Sequence, residues 1–182
     1  MKRIGIIGDI GSGKSYVARN FGYPVFNADL EVKKIYKTNK KCFKKLNKKF
    51  PKNIKNFPIK KEEIKQIINK SNLKILSKVV HQYVRVSLKK FLKKHYKKKY
   101  VILDIPLLIE NKLYKKSDII IGIKAPKKII IKRLKLRGNY NKRIFDILRK
   151  QQFNLTRKIK LCDYVIENNS NKKNIMKQIK TI

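Results

Sequence analysis

The sequence predicts an α/β fold: a five-stranded parallel sheet with helices on both faces, in three layers (α/β/α). Short apolar, β-branched segments alternate with longer helical patterns along the 182 residues, which is typical of a parallel sheet. The first strand also runs directly into a glycine-rich loop and a helix. Such sheets bind ligands at the carboxyl ends of their strands, so we expect functional side chains at that edge.

The glycine-rich loop is Gly8-Asp9-Ile10-Gly11-Ser12-Gly13-Lys14-Ser15, and it fits the pattern G-x-x-x-x-G-K-[ST]. Glycines let several backbone N–H groups point into one concavity, which suits a phosphate. Lys14 is expected to reach the β- and γ-phosphates of ATP, and the Ser15 hydroxyl is expected to bind Mg²⁺. A glycine turn that merely joins strand to helix is the alternative. The residues predicted to bind the nucleotide are Gly11, Ser12, Gly13, Lys14, Ser15 and Tyr16.

The remaining elements follow from hydrophobic periodicity and from glycine, proline and capping residues. Strands are predicted over residues 4–7, 23–27, 100–106, 118–124 and 164–167. Helices are predicted over 14–21, 28–36, 71–95 (capped by Ser71), 126–137 (ending at Gly138), 140–158 and 171–179. Two basic segments, 40–50 and 60–69, surround a loop with a proline at each end.

We predict a single domain with three parts. Its core comprises residues 1–30, 96–136 and 159–182. The segment 31–95 is too long for a simple crossover between strands and is predicted to form a substrate-binding lobe. Residues 137–158 are predicted to form a lid.

The charge is unusually positive, with 50 Lys and Arg against 11 Asp and Glu, a net of +39. A basic chain can bind nucleic acid, but here the lysines are spread along the sequence and form no single stripe. A solvated lysine surface is the favoured interpretation, and it should attract anions such as ATP more strongly at low salt. No apolar run approaches the length of a membrane span, and two distant cysteines, Cys42 and Cys162, favour a reducing, cytoplasmic setting.

Beyond the loop, the chain resembles the dephospho-CoA kinase family over nearly its whole length. The segments that carry the resemblance are the loop from Ile10 to Ser15, Asn27-Ala28-Asp29, His81, Asp104-Ile105-Pro106-Leu107-Leu108-Ile109-Glu110, Arg133 with Arg137, Gln152 with Lys158, and Asp163-Tyr164-Val165-Ile166-Glu167-Asn168. Four positions depart from the family pattern. Asp9 replaces a glycine, Asn27 an aspartate, Gln82 a proline and Gly138 an aspartate.

The resemblance implies a P-loop kinase fold and the transfer of phosphate from ATP to the ribose 3′-hydroxyl of dephospho-CoA, the last step of coenzyme A synthesis. It implies Asp29, Lys14 and Arg137 as catalytic residues and Mg²⁺ as the metal, held by Ser15 and Asp104. A monomer is expected, without membrane or nucleic-acid partners.

Several alternatives stay open on the sequence. Asp29 can instead cap the helix that follows it, and Asp104 can hydrogen-bond the phosphate loop. Another nucleoside or nucleotide kinase would share the phosphate loop, although it would not explain the Pro-Leu-Leu block. A nucleic-acid-binding NTPase would explain the charge, and an inactive relative would explain Asp9 and Asn27.

Overall fold

The computed structural model describes residues 1–136 and 140–182, and no side chain is described at position 70. The chain divides into two compact units. The first comprises Met1–Asn27 and His95–Ile182, and the second Ala28–Lys94. In the described ranges, no helix is both long and apolar enough to cross a membrane.

The first unit is built on the predicted five-stranded parallel sheet, in the order β2-β3-β1-β4-β5. Its strands are β1 (Lys2–Gly8), β2 (Val25–Asn27), β3 (Tyr100–Asp104), β4 (Ile119–Lys124) and β5 (Tyr164–Glu167). The central strand β1 is nearly continuous in buried isoleucine, as expected for a strand covered on both faces. The α/β class and all five strands are confirmed.

Helices α1 (Lys14–Asn20), α6 (Lys127–Leu136), α7 (Lys142–Arg149), α8 (Leu155–Ile159) and α9 (Lys172–Lys180) complete this unit, numbered in chain order with the second unit's helices. Isoleucines of the central strands pack with Val17 and Ala18 of α1 and with Ile175 of α9. The glycine stop predicted at Gly138 lies outside the described residues.

The single helix predicted over residues 140–158 is wrong, because the structure has two helices there, α7 and α8. The Asn154 side chain accepts a hydrogen bond from the Arg157 backbone N–H at 2.8 Å and so starts a new helix. One residue earlier, the Phe153 backbone N–H donates to Glu110 and belongs to neither helix.

The second unit is helical, with α2 (Ala28–Thr38), α3 (Lys40–Lys49), α4 (Lys61–Ile67) and α5 (Lys70–Lys94). Ile35, Leu46, Leu76 and Val80 are among its buried apolar residues. The prediction that Ser71 caps the long helix is wrong, because the helix begins one residue earlier. The Asn69 side chain accepts from the Asn72 backbone N–H at 2.8 Å, and Asn is as effective a cap as Ser.

Candidate active site

The sheet register brings three functional segments to one edge. In the ladder, Asp104 of β3 lies beside Ile6 of β1 on one side and beside Asn27 of β2 on the other. The glycine-rich loop leaves β1 two residues after Ile6. The carboxyl ends of three neighbouring strands therefore meet where a parallel sheet binds its ligands.

Glycine is required at the loop positions where the backbone turns. Gly11 and Gly13 have φ values of 86° and 93°, which L side chains rarely adopt. A Cβ atom on Gly13 would also lie 2.2 Å from the Asn168 amide nitrogen. The tight curl of the loop thus depends on these residues, as the motif predicts.

Lys14 carries a positive charge into the loop. Its Nζ donates to the backbone carbonyls of Gly8 (3.1 Å) and Asp9 (2.9 Å). A flexible ammonium held at this place can exchange carbonyl partners for phosphate oxygens. The neighbouring Ser12 is buried, whereas Tyr16 is exposed in the first turn of α1.

A hydroxyl, an amide and a carboxylate come together beside the loop. The Asn27 amide nitrogen donates to Asp104 Oδ2 and, at 3.3 Å, to Ser15 Oγ. Asp104 is only 3% exposed. Because hydroxyl and carboxylate oxygens are ligands that Mg²⁺ accepts, Ser15 and Asp104 fit the ion implied by the sequence.

Two residues that were not predicted to bind the nucleotide, Arg133 and Asn168, hold the phosphate loop through its backbone. The Ser12 carbonyl accepts hydrogen bonds from Arg133 Nη1 at 3.0 Å and from Asn168 Nδ2 at 2.8 Å. Arg133 Nη2 also donates to Asn168 Oδ1 at 2.7 Å. The sequence offered only their positions as a clue. Asn168 directly follows β5, whose carboxyl end lies at the ligand-binding edge of the sheet, and Arg133 lies on α6, the helix after β4.

A cavity of about 700 Å³ adjoins the start of the loop within the first unit. Its lining includes Asp9, Ile10, Ile130, Leu134, Phe145 and Arg149. Asp9, the departure from the family's glycine, therefore faces a space bordered by the basic helices α6 and α7. The lining of this space carries charges of both signs, from Lys127, Asp146 and Arg149.

Glu110 and Lys158 form a buried ion pair that ties α8 to the segment after β3. Lys158 Nζ lies 3.2 Å from Glu110 Oε1, and Lys158 is 1% exposed. Glu110 Oε1 also accepts the Phe153 backbone N–H at 3.0 Å. Glu110 therefore links the segment after β3 both to α8 and to the residue just before its cap.

Three further residues named from the sequence lie outside the described part of the first unit. Asp29 is exposed in the first turn of α2, as the second residue of that helix and not its cap. Arg137 lies outside the described residues. His81 is half-buried in α5, and burial, followed by the nearby Arg85, lowers its pKa.

The sequence is similar to known dephospho-CoA kinases over nearly its whole length. The family model of dephospho-CoA kinase matches residues 2–174. Dephospho-CoA kinases from Bartonella henselae and Wolbachia pipientis wMel are each 32% identical over 186 residues, covering 98% of this chain and 95% of each relative. The dephospho-CoA kinase of Aquifex aeolicus is 31% identical and spans the whole chain and 96% of its own length.

Solved structures share the fold. A crystal structure from Thermus thermophilus has a TM-score of 0.80 and 26% identity, over 99% of this chain and 94% of that one. Dephospho-CoA kinase from Campylobacter jejuni has a TM-score of 0.67 at 23% identity, covering 100% of this chain and 95% of its own. With the family model spanning nearly the whole sequence, this chain belongs to the dephospho-CoA kinase family.

Proposed function

We propose that this protein is a kinase that transfers the γ-phosphoryl group of ATP to the ribose 3′-hydroxyl of dephospho-CoA, giving coenzyme A. The observation that carries the proposal is the glycine loop beside Ser15, Asn27 and Asp104, within a chain that matches the family from residue 2 to 174. Phosphoryl transfer needs positioning and charge neutralisation, and these residues are suited to both.

Different groups of the loop are proposed to bind and to neutralise the phosphates of ATP. The backbone from Gly11 to Tyr16 binds the phosphates, and Lys14 neutralises charge on the β- and γ-phosphates. Arg133 and Asn168 keep the loop in shape through the Ser12 carbonyl. Mg²⁺, bound by Ser15 and Asp104, would supply further neutralisation of the triphosphate.

Asp29 is proposed to orient the acceptor hydroxyl and accept its proton, since a carboxylate within hydrogen-bond reach can do both. It stands two residues beyond Asn27, where β2 ends at the carboxyl edge of the sheet. Arg137 is proposed to bind the triphosphate as charge develops, a role that suits a guanidinium. We expect a monomeric, cytoplasmic protein whose basic surface attracts both anionic substrates.

Asp29→Asn tests the assignment, because it keeps the shape of the side chain and removes its basicity. We expect dephospho-CoA-dependent ADP release to fall by about 10²–10⁴-fold, with ATP affinity nearly unchanged. Glu31→Gln is the matched control, an acid in the first turn of the same helix. Equal activity of both variants would contradict the role of Asp29.

A further inference from the structure

Asn27 joins the two oxygen ligands proposed for the cation. It is the last residue of β2, and the ladder sets it directly beside Asp104. Its amide nitrogen donates to Asp104 Oδ2 and to Ser15 Oγ. One side chain therefore contacts two groups that are 89 residues apart in sequence, at positions 15 and 104.

The chemistry of the partners fixes which end of the amide faces them. An ionised carboxylate only accepts hydrogen bonds, so the NH₂ group of Asn27, and not its carbonyl oxygen, must face Asp104. The nitrogen of a neutral amide is a donor and does not bind a hard cation. Ser15 Oγ has two lone pairs, and accepting one N–H leaves the other available for a metal.

We propose that Asn27 is a positioning residue for the cation: its amide orients Asp104 and Ser15, while the cation contacts their oxygens. The inference rests on the proposed function only in placing the cation at these two residues. It adds that the residue at the end of β2 acts on the metal through its two neighbours, of which Asp104 is the carboxylate.

Substitution of Asn27 should therefore change metal affinity in two opposite directions. Asn27→Ala removes the two hydrogen bonds that orient the ligands, and we expect Mn²⁺ affinity to fall about tenfold. Asn27→Asp removes the donor but adds a second, negatively charged carboxylate beside the two proposed ligands. We expect that charge to dominate, with Mn²⁺ bound about tenfold more tightly or better.

The test is a titration of Mn²⁺ into the protein–ADP complex, with free Mn²⁺ followed by its EPR signal. ADP affinity in EDTA is measured in parallel, because a merely structural role would lower nucleotide binding without metal. Asn47→Ala is the control. The Asn47 amide likewise donates to an oxygen, the Ile54 carbonyl, at 2.7 Å. It lies in the second unit, and its partner is not a proposed metal ligand.

The proposal is supported if Mn²⁺ affinity falls for Asn27→Ala and rises for Asn27→Asp, while ADP affinity in EDTA stays within about twofold of the unmodified protein. Unchanged Mn²⁺ affinity in both variants would overturn it, as would an equal loss of ADP binding in EDTA. If Asn27→Ala does not fold, Asn27→Val, which keeps bulk at the end of β2 and also removes the amide, takes its place and should likewise lower Mn²⁺ affinity about tenfold. A protein that shows these shifts but does not phosphorylate dephospho-CoA would refute the proposed function and leave this inference standing.

Discussion

The buried pair of Lys158 and Glu110 allows a quantitative test of how α8 is held to the segment after β3. At the observed separation of 3.2 Å, two unit charges attract by about 5 kcal/mol at an effective dielectric constant near 20. Burial costs each ion several kcal/mol in lost hydration, so the pair as a whole contributes little net stability. Removing one partner alone leaves the other charge buried without compensation.

We therefore expect Lys158→Met and Glu110→Gln each to lower the free energy of unfolding by about 3–5 kcal/mol. The double variant should lose at least about 2 kcal/mol less than the sum of the single losses, because it leaves no unpaired charge. For a chain of this length, each single loss corresponds to a fall in Tm of about 6–20 °C.

The assay is urea unfolding followed by circular dichroism at pH 7, completed as a double-mutant cycle. Lys124 and Glu167 provide the control, since they form a 3.6 Å ion pair with side chains 55% and 69% exposed. An exposed pair contributes at most about 1 kcal/mol, so Lys124→Met should have a small effect. Additive losses at Lys158 and Glu110, or a loss below about 1 kcal/mol for either, would refute the reasoning.

Three further predictions concern the loop and the second unit. Lys14→Met should lower kcat/KM about 10²–10³-fold without unfolding the protein, because it removes the positive charge that stabilises the transferring phosphate. Steady-state kinetics and a parallel melting curve check this. A near-normal kcat/KM would contradict it. Asn168→Ala removes the 2.8 Å hydrogen bond to the Ser12 carbonyl, so calorimetry should show that ATP binds about tenfold more weakly. Asn171→Ala, which removes only the cap of α9, is the control and should leave ATP affinity unchanged. His81 has a lowered pKa in the folded chain, so the unfolded chain binds more protons below about pH 6.5; its contribution to stability is present above that pH and is lost as the pH falls. Urea unfolding at pH 7.5 and 5.0 should show a smaller decrease for His81→Gln, and an equal decrease would contradict the assignment.

The sequence predicted those features that depend on local pattern. Short apolar runs rich in β-branched or aromatic residues identified the five strands, and the motif identified a loop whose Gly11 and Gly13 adopt positive φ. The end of β3 placed Asp104 at the same edge as the loop, because parallel strands share their direction. These features need only a few neighbouring residues to be recognised.

Features that depend on partners distant in sequence were not predicted. Arg133 and Asn168 meet at the Ser12 carbonyl only because β5 and α6 lie on the β4 side of the loop. In the break between α7 and α8, the Phe153 N–H donates to Glu110, a partner distant in sequence. Periodicity over residues 140–158 carries no sign of a partner 43 residues earlier in the chain.

The most direct test of the central claim is ADP release by the unmodified protein with ATP, Mg²⁺ and dephospho-CoA, with the product identified by mass. We predict release that depends on dephospho-CoA, forms coenzyme A, and is absent when coenzyme A, whose 3′-hydroxyl is already phosphorylated, replaces the acceptor. Release that is independent of dephospho-CoA and rises with RNA, or no release from folded protein that binds ATP, would contradict the account.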